Sequence, residues 1–358
     1  MEAFKSLINW LSAPEKLIGL STVFVLVGLR TRQLWTNLAG LIGLVAFVVF
    51  FLFSFQDPNF RIIVTKPDNV PIVLLFLFVG FFMWLSMKQA WENDERIAAG
   101  GEPIEKSEYK EKVLTWPHLV YIELICLVLM TVGLLLWSIL IQAPLEEPAN
   151  PAKTPNPSKA PWYFLGLQEM LVYYDPWIAG VVLPTLVIVG LMAIPYIDRN
   201  TKGAGYYTFK ERPFAITVFM FGFVVLWVAL IVIGTFLRGP NWNFFGPYEY
   251  WDGHKLEALV NVNLSEFIYV KWMGTGLPQF WLVREVWGLI LVALYFVLPP
   301  PILARTLFKD FYKQLGIERY SILVMFFLCM VALPVKMMLR WFFNLKYIVA
   351  IPEYFFNV

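Results

Sequence analysis

HLVYIELICLVLMTVGLLLWSILIQ, residues 118–142, decides the fold. Its twenty-five residues carry one histidine, His118, and one carboxylate, Glu123, with no proline and no Lys or Arg. About 20 mostly apolar residues are enough for a helix to cross the hydrocarbon core of a bilayer. Working outward, six further stretches meet the same test: roughly 34–55, 72–90, 177–196, 214–237, 280–304 and 320–342. An eighth, about 13–29, is short. All are hydrophobic on every side, so periodicity does not say which face meets lipid.

The whole-chain composition agrees. Of 358 residues, 59% are hydrophobic and only 15% charged, against about a quarter charged in soluble domains. Aromatics reach 18%, and Trp and Tyr favour the membrane–water boundary. The net charge is +2 with no basic tract, which gives nucleic acid no footing as a partner. The expectation is an all-α integral membrane protein with about 7–8 transmembrane helices. The first twenty residues scatter Glu2, Lys5, Glu15 and Lys16 among apolar ones. They lack the pattern of a signal peptide and read as an interfacial helix leading into the membrane. Cys126 and Cys329 stand alone in apolar runs and no C-x-x-C-H is present, so both read as packing residues and no metal site is expected.

The connections alternate in charge. Loops 88–115, 197–213 and 305–319 hold thirteen Lys and Arg in sixty residues, whereas 56–71, 143–175 and 238–279 hold seven in ninety-one. The positive-inside rule puts the first set on the cytoplasmic (n) side and the second on the outer (p) side. Lys336, Arg340 and Lys346 run against this rule at the outer end of the last helix.

The chemistry concentrates in the first long outer loop. Ala149-Asn150-Pro151-Ala152-Lys153-Thr154-Pro155 is followed by Trp162-Tyr163-Phe164 and then Leu165-Gly166-Leu167-Gln168-Glu169-Met170-Leu171. Pro144, Pro148, Pro151, Pro155 and Pro157 deny the loop regular structure, and Pro161 suits the start of a helix. Residues 161–172 are too few to span, so they should form a short helix lying along the p-side surface, with Trp162, Phe164 and Leu165 near the acyl boundary.

This region resembles the C-terminal part of cytochrome b, and more closely subunit IV, the haem-free half of divided cytochrome b in chloroplasts and many bacteria. The residues that carry the likeness are Ala149, Asn150, Pro151, Thr154, Pro155 and Trp162-Tyr163-Phe164. Trp116-Pro117, Ala193-Ile194-Pro195-Tyr196-Ile197-Asp198 and Phe209-Lys210-Glu211-Arg212-Pro213 follow the family order at the starts and ends of its helices E, F and G. The likeness covers about 113–240. It divides the chain into an N-terminal extension (1–112), a subunit IV-like region (113–240) and a C-terminal extension (241–358). The family's Pro-Glu pair is Ala160-Pro161 here, as in some menaquinol-oxidising relatives.

The resemblance implies a p-side quinol-oxidation site in which Pro161, Trp162, Tyr163 and Phe164 bind the ring. It also implies catalytic roles for Tyr163, through its hydroxyl, and for a carboxylate that accepts the quinol proton. With the family's own Glu missing, Glu169 is the nearest carboxylate on the same helix. It lies seven residues from Trp162, close to two turns and so on a shared face. Glu169 reads either as the replacement base or as a solvated interfacial carboxylate. Tyr163 reads either as a quinone partner or as an interface anchor. His118 and Glu123 read as part of an n-side quinone site, or as a contact with a neighbouring subunit; an ionisable group inside an apolar helix is costly and often functional.

The chain's two histidines are His118, on the n side, and His254, in an outer loop. About 30 Å of membrane between them prevents a bis-His haem. The resemblance implies that the haems b are carried by a separate dihaem cytochrome b subunit. The other implied partners are a Rieske-like iron–sulfur protein or a c-type cytochrome, surrounding lipids and a second copy of the complex. The implied setting is a bacterial cytoplasmic membrane. The alternative is a non-catalytic membrane scaffold with a degenerate quinone pocket, for which the missing Glu speaks.

Overall fold

The computed structural model describes residues 2–108, 112–141, 145, 148–257 and 260–358. Ala143 and Pro144, at the start of the first long outer loop, lie outside the described residues, as does Lys110 of the first n-side loop.

Among the described residues seven helices are long and apolar enough to cross a membrane: α3 (Asn37–Ser54), α5 (Val70–Ala98), α6 (Thr115–Leu140), α8 (Ile178–Ile197), α9 (Pro213–Leu237), α10 (Val286–Arg305) and α11 (Lys309–Phe343). Between and before them lie α1 (Glu2–Leu11), α2 (Pro14–Gly28, its last turn wider than α), α4 (Pro58–Thr65) and α7 (Leu165–Met170). Two strands of two residues each, Ala350–Ile351 and Phe356–Asn357, pair antiparallel near the end of the chain. The protein is an all-α membrane protein.

Two helices are longer than the sequence suggests. α5 continues from the expected end near 90 to Ala98. Its last turns are polar because they belong to the n-side assembly, not the membrane. Asp94, buried there, accepts hydrogen bonds from the Thr208 hydroxyl and from the backbone N–H groups of Phe209 and Lys210. Asn93 donates to Glu105 and to the Tyr207 carbonyl. α11 starts at Lys309 but breaks at Gly316, whose φ of 73° only glycine adopts readily, so its membrane part begins near the expected residue.

Hydrogen bonds between loops support the expected sides. Those from the end of α5 join loops 88–115 and 197–213. At the other end Asn59 donates to the Tyr248 carbonyl at 3.1 Å, and Asn156 pairs with Asn241, joining loops 56–71, 143–175 and 238–279. α1 belongs to this outer side: Lys5 lies 2.6 Å from Asp57, and Asn9 accepts from Tyr248 N–H. After a 76° bend α2 descends to the n side, where Arg32 bonds Glu95 at 2.7 Å. Its fifteen residues rise about 22 Å, so the short eighth segment does travel between the two faces.

One buried cluster ties the three regions together. It joins Ile18 and Val25 of α2, Met87 of α5, Tyr173 and Tyr174 of the outer loop, Val225 and Leu230 of α9, and Leu333 and Met337 of α11. α9 is the central helix. α6 is the opposite case: none of its apolar window is buried. A helix so apolar and so bare presents its whole surface to lipid or to another polypeptide.

Candidate functional site

The site is built on the crossing of α7 and α9. Prolines keep residues 148–161 irregular, and Pro161 itself is extended (φ −52°, ψ 147°) as the residue before a single tight turn, Trp162–Phe164. α7 follows directly. Gln168 reaches back to fasten the loop: it accepts Ala160 N–H at 2.9 Å and donates to the Ser158 carbonyl at 2.8 Å. Two glycines let the helices approach. A Cβ on Gly234 would lie 3.0 Å from the Leu165 carbonyl oxygen, and one on Gly166 would touch Ile231 at 3.5 Å. Small residues at helix crossings gain packing in a medium where apolar side chains have no other reason to associate.

Trp162 packs against Trp227 (ring centroids 6.3 Å), while Glu169 bonds Arg238, eleven residues further along the chain. The segment therefore packs beside the outer half of α9. Leu165, expected near the acyl boundary, is buried in the crossing.

The largest departure concerns Glu169. It is completely buried, so it is neither solvated nor open at a pocket edge. Arg238 grips it at two points, Nη2 to Oε1 at 2.6 Å and Nε to Oε2 at 2.9 Å, and the Trp242 indole N–H adds a bond of 3.1 Å to Oε2. Arg238 also donates to the Trp242 carbonyl. Burial alone would lower the Arg238 guanidinium, but the Glu169 carboxylate more than offsets this and holds it above its ordinary value. Both oxygens of the Glu169 carboxylate are thus engaged by Arg238 and Trp242. Sequence reading missed Arg238 and Trp242, whose partner lies 69 and 73 residues earlier. The one available signal was an arginine placed directly after a span on the side where basic residues are scarce.

The aromatic residues do come together. Trp162 meets Tyr163 edge-on (5.7 Å), and Tyr163 meets Phe164 at 4.7 Å. About half of Tyr163 and of Phe164 is exposed, and Pro161 is exposed as well. They form an exposed aromatic ledge. Behind it Phe219, Phe223 and Trp227 stack down α9 with centroids 6.0 and 5.5 Å apart. Their i, i+4 spacing was visible in the sequence and carries the ledge's aromatic surface deeper into the membrane.

His118 and Glu123 lie exposed on α6. Among the described residues neither side chain makes a hydrogen bond or ion pair. His254 lies on the outer side, its backbone N–H bonded to Asp252.

The outer end of α11 supports α7 from behind. Lys346 reaches the Leu171 and Val172 carbonyls, both at 3.3 Å, placing a cation at the negative end of a helix. Arg340 donates to the Val260 and Asn344 carbonyls, so Lys346 and Arg340, two of the three basic residues that run against the positive-inside rule there, have hydrogen-bond partners.

Comparison with known proteins locates this architecture. Residues 148–248 match the family described as Cytochrome b(C-terminal)/b6/petD. The match takes in the proline-rich loop, the aromatic turn, α7, α8, α9 and the turn that carries Trp242, and leaves α6, the N-terminal extension and the C-terminal extension beyond residue 248 outside. No solved structure matches the chain.

Proposed function

We propose that this chain is a membrane subunit of a bc-type quinol-oxidising complex, supplying one wall of the p-side quinol site. The observation that carries this reading is the exposed ledge Pro161–Phe164, set on the outer half of the central helix within the segment that matches cytochrome b. A quinol ring would lie flat against Trp162, Tyr163 and Phe164. The Tyr163 hydroxyl, half exposed, would reach a ring oxygen. Glu169 acts here as a positioning residue: through Arg238 and Trp242 it fixes α7, and hence the ledge, to the end of α9.

A one-walled slot needs a second polypeptide. The bare helix α6 provides the surface for it, and a dihaem cytochrome b subunit is the partner of the right kind. The electrons leave through carriers in that subunit and through a Rieske-like iron–sulfur protein or a c-type cytochrome. The absence of the family's Glu favours menaquinol as the substrate. His118 and Glu123 serve an n-side quinone site completed by the partner, or pair with it directly. A dimeric complex in a bacterial cytoplasmic membrane completes the reading.

One observation favours a second reading. Pro161 replaces the expected carboxylate and Glu169 is locked, which suits a scaffold whose pocket has lost its chemistry. Turnover decides between them. The complex purified in mild detergent should reduce an added high-potential acceptor with a menaquinol analogue, and Tyr163→Phe should slow it severalfold. An intact, haem-containing complex that oxidises no quinol would favour the scaffold.

A further inference from the structure

Lys159 is the last charged residue before the aromatic turn, two positions ahead of Pro161. Gln168 pins the backbone on either side of it, so its side chain starts from a fixed point. The Lys159 nitrogen donates to the Thr235 carbonyl at 2.9 Å, in the last turn of α9, and lies 4.8 Å from the ring centroid of Trp251. Thr235 stands eight residues beyond Trp227, against which Trp162 packs, so the amine lies on the outer side of the ledge.

The charged groups around it come from three other elements. Lys66 faces it from the turn between α4 and α5, Arg238 from the end of α9, and Glu169 from α7. Glu169 already holds Arg238 at two points. Among the described residues no carboxylate is hydrogen-bonded to Lys159. Lys159 is half-buried; the Trp251 face favours its ammonium form, whereas the lack of a bonded carboxylate among the described residues and the nearness of Lys66 and Arg238 work against it.

We propose that Lys159 accepts the quinol proton at this site and releases it to p-side water, an inference that rests on the quinol-oxidation reading. In the step, the quinol O–H bond breaks as an N–H bond forms on the amine lone pair, directly or through one water. The electron departs to a one-electron acceptor in the partner subunits. Lys159 then loses the same proton outward and is neutral again. Its contact with Thr235 survives the cycle, since a neutral amine still carries two N–H donors. Burial, aided by Lys66 and Arg238 and opposed by Glu169, brings its ammonium down to about 7, close to where a general base works best.

Two variants of the whole complex test this. Lys159→Arg keeps a cation and a donor for Thr235 but cannot give up its proton. Lys159→Met removes both. A positioned base contributes about a hundredfold to ten-thousandfold, so with water as a partial substitute both variants should turn over quinol at least about tenfold more slowly. Both should also lose the acidic limb of the pH–rate profile near pH 7, with haem content and subunit composition unchanged in the arginine variant. Wild-type turnover with an unaltered profile in Lys159→Arg would overturn the inference, whatever Lys159→Met does, since the side chain would then act only as a cationic cap on α9. A wild-type complex that oxidises no quinol at any pH would overturn the quinol reading itself, and this inference with it.

Discussion

Glu169 and Arg238 are joined at two points, 2.6 and 2.9 Å, in a pair whose carboxylate has no exposure at all. This bond fixes the helix behind the aromatic ledge to the end of the central span. Removing one member of a buried pair typically costs about 3–5 kcal/mol, because the other charge remains without a partner. Glu169→Gln should therefore lower the melting temperature of the purified complex by several degrees, and slow quinol turnover only as far as the ledge is displaced. Glu169→Leu combined with Arg238→Met should melt closer to wild type than either single variant. A Glu169→Gln complex that melts like the wild type yet has lost its turnover would return Glu169 to the role of base.

The bare helix α6 gives a prediction about assembly. Cys126 lies exposed on it, the one described cysteine on a helix with no buried face. In the chain expressed alone, a membrane-permeant maleimide should modify Cys126 within minutes. In the assembled complex the reaction should slow at least about tenfold, because a partner helix covers that surface. Equal labelling in both states would show that α6 faces lipid on the Cys126 side.

A third prediction concerns pH and the N-terminal extension. Asp57 caps α4, accepting N–H bonds from Asn59 and Phe60 at 2.8 and 3.1 Å, and lies 2.6 Å from Lys5 on α1. Burial works to raise the Asp57 carboxyl, but Lys5 and the two amides outweigh it and hold it below the ordinary range. For a carboxyl lowered on folding, the stabilisation is fully present above the unfolded value, about 3.9, and is lost as pH falls through the folded value. The protection of residues 2–11 against hydrogen exchange, relative to the unstructured rate at each pH, should therefore be high and flat from pH 8 to 5 and fall below about pH 4. Asp57→Asn should exchange faster throughout and lose that acid transition. An acid transition that persists in Asp57→Asn would assign it to another group.

What the sequence revealed follows from how local each signal is. Spans and sides depend on runs of about 20 apolar residues and on nearby Lys and Arg, both readable along the chain, and the hydrogen bonds around Asp94 and Tyr248 support the assigned sides. The end of α5 was hidden because Asn93 and Asp94 look like loop residues until their partners, Tyr207 and Thr208, are known; each lies 114 residues away. The motif Ala149–Phe164 pointed to the right region, and the family match covers it. The same reading left Glu169 as a replacement base or a solvated carboxylate because seven residues of helical spacing cannot reveal an arginine 69 positions ahead. Lys159 passed unnoticed for a similar reason: a lysine in a polar loop looks solvated until Thr235 and Trp251 close around it.

The central claim is that a quinol ring rests on the ledge from Pro161 to Phe164. A photoactivatable azido-naphthoquinone bound to the intact complex, followed by proteolysis and mass spectrometry, tests it most directly. The account predicts covalent label on the peptide containing Trp162, Tyr163 and Phe164, displaced by excess unlabelled quinol, with further label on the dihaem partner across the slot. Displaceable label on the partner alone, with none between residues 158 and 170, would contradict it.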